Sequence, residues 1–136
     1  LHNLLNMNLT PIKTKLQRPN LTSKHSEFLG KLLHSRNVAH LVHLNTNSYA
    51  KHKALNKYYE SILDLFDDLA ETSMGSIGKQ SITVPEAKEE DIDVHLQNLK
   101  VYIEGTRSSF GGSHLQNIID EIVALIDHTI YLLTLN

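Results

Sequence analysis

The chain has 136 residues, 40% hydrophobic and 21% charged, with formal net charge −2 and no cysteine. That amount of apolar side chain suits one domain with a real core. The missing cysteine excludes disulfides, thiolate metal sites and cysteine nucleophiles, and the near-neutral balance excludes polyanion binding by bulk charge.

The charge is unevenly placed. Residues 1–26 carry Lys13, Lys15, Arg18 and Lys24 and no acid, whereas the other nine basic residues face all 15 acids. Pro11, Pro19 and scattered Asn and Thr predict an irregular, flexible basic arm over 1–22. The helical domain is expected over 23–136. The chain has no run of ~20 apolar residues, so no membrane span is expected. A cytoplasmic location is the expectation.

The first helix is expected from about Ser23, a capping residue. Phe28, Leu29, Leu32, Leu33, Ala39 and Leu44 recur at helical spacing and predict its apolar face. Asn45–Ser48 reads as a turn. A second helix follows from Tyr49 to Ser73, with Leu55, Tyr59, Ile62, Leu63, Phe66, Leu69 and Ala70 inward and Gly75 as its stop. Residues 75–85 read as a connection. A third helix is expected from Pro85, rich in acids at its first turn, with Ile92, Leu96, Leu99 and Ile103 as its stripe. The fourth is expected from Ser113 to Leu133, with Leu115, Ile118, Ile119, Ile122, Val123, Ile126, Ile130 and Leu133 inward. The class is all-α, an antiparallel four-helix bundle of ferritin-like topology with a long crossover between its second and third helices. Eleven extended residues reach ~36 Å, which makes that crossover nearly taut.

One stretch carries chemistry. His40, His52, Asp67 and Glu71 follow one another at twelve, fifteen and four residues. With the turn centred at Thr46, His40 and His52 sit at one level of a helical hairpin. Asp67 and Glu71 share a face, one turn apart. His52 and Asp67 lie ~22 Å apart along a helix, too far for one ion bonded at ~2 Å. Two chains packed antiparallel about a two-fold axis bring the His end of one to the acid end of the other. Such a set suits Fe(II), with Zn or Mn as substitutes. His43 is expected to pack or hydrogen-bond. Glu60, Asp64 and Asp68 read as a solvated stripe. No Walker loop, G-x-S-x-G or H-E-x-x-H occurs.

This stretch resembles the signature of the Dps miniferritins, and the segment from Leu125 to Leu133 is similar in pattern to their last helix. The resemblance implies a divergent, shortened member of the kind phages encode. It implies a homo-oligomeric cage, a dodecamer, that oxidises Fe(II) with peroxide or dioxygen at His40, His52, Asp67 and Glu71 and stores iron. It also implies DNA binding through a basic N-terminal arm, here Lys13, Lys15, Arg18 and Lys24. The sequence departs from the pattern at Leu41, where the family has Trp, and at Asn56, where it has an acid. These departures suit an alternative: a catalytically inactive ferritin-like shell or DNA-binding protein. A small helical adaptor is a third reading.

Overall fold

The structure, a computed structural model, describes the backbone of residues 9–135 and the side chains of residues 23–135. The described residues form four α-helices and no strand, an all-α protein. They are α1 (Leu9–Asn45), α2 (Tyr49–Ile77), α3 (Ile92–Thr106) and α4 (Ser113–Leu133).

Helix α1 starts 14 residues before the expected Ser23, so the irregular reading of 1–22 is corrected over 9–22. Pro11 falls in the first turn, where its missing N–H has no intrahelical partner to lose. Pro19 lies inside the helix and removes one backbone bond. Residues 1–8 lie outside the described residues. The buried face of α1 is Phe28, Leu29, Leu32, Val38, Ala39 and Val42, whereas Leu44 is 62% exposed. A stripe drawn through 28, 32, 35, 39 and 42 explains this, since Leu44 falls off it.

Ser48 caps α2 by accepting the Lys51 N–H. The helix passes Gly75 and stops at Gly78, whose φ of 98° suits glycine and whose N–H reaches the Met74 carbonyl at 2.8 Å. Tyr58, not Tyr59, enters the core. Its hydroxyl bonds Ser35 Oγ at 2.8 Å, and Ser35 donates on to the Leu32 carbonyl. Burial pushes the Tyr58 phenol well above its ordinary range.

Residues 78–91 are an unwound crossover, three residues longer than expected. Pro85 does not start α3. The Asp91 carboxylate does, taking the N–H groups of Asp93 and Val94 just ahead of Ile92, the first core residue of the stripe. Fourteen extended residues reach ~46 Å, which removes the tautness of the shorter link. The crossover passes directly over α1, where the Thr83 carbonyl lies against Gly30.

The helices pack as a ring: α1 touches α2 and α3, and α4 touches the same two. Helix α3 descends as α1 rises, with His95 beside His34, Tyr102 beside Phe28, and Ser109 beside His25. Lys57 of α2 meets His128 of α4, and Lys100 of α3 bonds Asp127 of α4 at 2.8 Å. Helices α1 and α4 therefore run one way, α2 and α3 the other. Leu115, Ile119, Ile122 and Ile126 supply the α4 share of the core. At the far end His25 stacks on Phe110, ring centres 3.8 Å apart, and donates to the Ser109 carbonyl. Burial lowers the pKa of that imidazole.

Gly30 is the tightest point of this packing. Gly30→Ala is expected to lower stability by about 1–3 kcal/mol, because the added Cβ would strike the Thr83 carbonyl. Gly75→Ala meets nothing and is expected to be neutral or slightly stabilising in a helix. Urea denaturation of the two variants tests the difference.

Candidate functional site

The α1–α2 turn is closed by two histidines. His43 Nδ1 donates to the His52 carbonyl at 2.7 Å, and His52 Nδ1 donates to the His43 carbonyl at 2.8 Å. A carbonyl only accepts, so Nδ1 of each ring is the donor, and in the neutral ring the tautomer this selects leaves Nε2 as the acceptor. The two rings stack with centres 3.7 Å apart. His43 is buried and His52 half-buried.

The turn is centred between Asn47 and Ser48 rather than at Thr46. His43 therefore faces His52, and His40 moves one turn along. This corrects the expected levelling of His40 with His52. His40 stacks on Tyr59, centres 4.3 Å apart, and lies 5.9 Å from the His43 ring. The Tyr59 hydroxyl donates to Asn56 Oδ1 at 2.9 Å. The Arg36 guanidinium lies over the Tyr59 ring at 5.9 Å. The turn end thus gathers three imidazoles, with Tyr59 against His40, Arg36 over Tyr59 and Tyr49 beside His52.

Asp67 and Glu71 are exposed on α2, one turn apart. Fifteen residues separate His52 from Asp67, ~22 Å of helix. The structure therefore does not bring the four residues together within one chain. Among the described residues no group of three or more His, Asp or Glu stands ready to hold a metal. Between the two ends lie the half-buried Tyr59 and Leu63. Glu60, Asp64 and Asp68 are exposed, as a solvated stripe requires.

The donor chemistry fits a borderline or hard divalent cation, with imidazoles at one end and carboxylates at the other. His52 is tethered by Nδ1–H to a backbone carbonyl, the arrangement that aims Nε2 at a metal. Asn56 offers a neutral amide oxygen already engaged by Tyr59. Of the basic-arm residues Lys24 is exposed, and the side chains of Lys13, Lys15 and Arg18 lie outside the described residues.

Two features escaped the sequence. The reciprocal His43–His52 bonds depend on a shift of about one residue in the turn, smaller than a turn signal resolves. The approach of His34 to His95, ring centres 5.4 Å apart, joins residues 61 positions apart, and no local pattern signals it.

Four helices, with imidazoles gathered at the α1–α2 turn and exposed carboxylates toward the other end of α2, define an all-helical protein. The chain belongs to DUF5856, a family of unknown function whose model matches residues 43–133. The matched part contains His43, His52, Asp67 and Glu71; His40 lies three residues before it. The chain is 29% identical over 116 residues to an uncharacterized 14.6 kDa protein from the mobD-ri intergenic region of Enterobacteria phage T4. That match covers 83% of this chain and 90% of the phage protein. No solved structure matches. Among the described residues no helix is long and apolar enough to cross a membrane.

The two reciprocal hydrogen bonds between His43 and His52 predict a stability role for His43. His43→Ala removes a buried ring, its stack on His52 and the side-chain donor to the His52 carbonyl, and is expected to cost about 1–3 kcal/mol. His40→Ala, a half-buried side chain with no hydrogen bond among the described residues, is expected to cost less. Thermal denaturation of both variants measures the gap.

Proposed function

We propose that the protein is a ferritin-like, iron(II)-handling homo-oligomer whose sites form only between subunits. His40 and His52 of one chain, with Asp67 and Glu71 of a neighbour, would receive Fe(II) as substrate. Peroxide or dioxygen would accept its electrons. The opposed directions of α1/α4 and α2/α3, with a crossover between α2 and α3, support the ferritin-like part. A cytoplasmic cage that stores iron, with Lys13, Lys15, Arg18 and Lys24 touching DNA, completes the proposal.

One observation carries it. The midpoint between His52 and the Asp67/Glu71 pair falls at residues 60–61, flanked by Tyr59 and Leu63, which are half-buried in one chain. A two-fold axis there would pack these apolar side chains against their copies and bring each His end to an acid end. The chain's own groups then act simply. The His43 carbonyl holds the His52 ring in the tautomer with Nε2 free, and Tyr59 holds His40 by stacking. Asp67 and Glu71, exposed in one chain, supply negative charge that attracts Fe(II).

A second reading keeps the oligomer and drops the oxidation. Asn56 favours it, because a carboxylate there would add charge and Asn56 instead spends its oxygen on Tyr59.

Asp67→Ala combined with Glu71→Ala separates the readings. Fe(II) oxidation followed by ferric absorbance should fall to the uncatalysed rate, with circular dichroism unchanged because both side chains are exposed. Oxidation unchanged in the double variant rejects the assigned site. Absence of oxidation in the wild type selects the silent shell.

A further inference from the structure

A second pair of imidazoles stands apart from the α1–α2 turn, in the seam between α1 and α3. His34 and His95 line a cavity of about 210 Å³ together with Lys31, Glu90, Asn98 and Tyr102. The His95 ring is tethered at one point, with its Nδ1 2.7 Å from Glu90 Oε1. That tether comes from the crossover. His95 Nε2 is left buried and without a partner among the described residues. A buried ring nitrogen of this kind calls for an explanation.

We propose that His34 and His95 form a two-imidazole site for a divalent cation of the Zn²⁺ class. A metal bonded at 2.0–2.1 Å to one nitrogen of each ring, at a tetrahedral angle, places the ring centres about 5.2 Å apart. The observed separation is 5.4 Å. The Glu90 carboxylate on His95 Nδ1 is the outer partner that orients a metal-binding imidazole and strengthens it as a donor. Water would complete the coordination. Two protein ligands in place explain why no three-residue cluster stands ready. The Lys31 ammonium lies over the Tyr102 ring, 4.7 Å from its centre, and its charge opposes the cation. The site is therefore a modest one. Because its outer partner Glu90 sits on the crossover, bound metal would fasten the crossover to α1 and α3.

This site is independent of the iron proposal and fails or stands separately. The test is a Zn²⁺ soak of crystals of the full chain, with diffraction recorded at the zinc edge. An anomalous peak is expected 2.0–2.1 Å from a ring nitrogen of both His34 and His95, and it should vanish in His95→Gln. In calorimetric Zn²⁺ titration, Glu90→Gln should weaken one class of site about 10- to 100-fold. No peak between the two rings, or a peak that touches one ring alone or survives His95→Gln, overturns the proposal. The wild-type map decides by itself if the variant does not fold.

Discussion

A helix of 29 residues holds its ends about 43 Å apart, and α2 has that length. Nothing in α2 bends it toward itself. Its interior is a regular series of buried residues, Leu55, Tyr58, Ile62, Phe66 and Leu69, locked against α1 and α4. The inter-subunit iron site proposed above follows from that stiffness. The imidazoles and the carboxylates are fixed at opposite ends of a rod, and a chain that used both for one ion would have to bring in a second rod.

Two devices keep the rod in register. At one end the stacked His43 and His52 rings each bond the other's backbone, so the α1–α2 turn is held by side chains that could also face a ligand. At the other end Gly78 releases the chain into the crossover, which crosses α1 where Gly30 offers no side chain. The crossover lets α3 run beside α1 in the opposite sense. It also places Glu90 on His95, beside His34. Fold and polar sites are therefore built by the same connections.

Much of this was legible from periodicity. Helix α4 occupies the expected Ser113–Leu133, because its apolar residues are dense and Gly112 punctuates its start. Helix α2 begins at Tyr49 as its Ser48 cap predicts. The misses have physical causes. Acids after Pro85 looked like a helix start, but the N–H groups needed an acceptor, and Asp91 supplies it six residues further on. Pro19 looked like a barrier, yet α1 runs through it. Tyr58 and Tyr59 could not be told apart by composition; only the phase set by Leu55, Ile62 and Leu69 puts Tyr58 inside. Likewise His40, His43 and His52 were visible as a group, but which two face each other depends on where the turn closes. Asp67 and Glu71 were read as sharing one face of the helix, and both stand exposed on α2.

The central claim is that the two half-sites meet between subunits. Its most direct test is the mass of the full chain in solution, measured on the same sample before and after loading with Fe(II). The account predicts an oligomer many times the 15.4 kDa of one chain, with iron retained in the assembled fraction. A monomer at all concentrations, with or without iron, contradicts it.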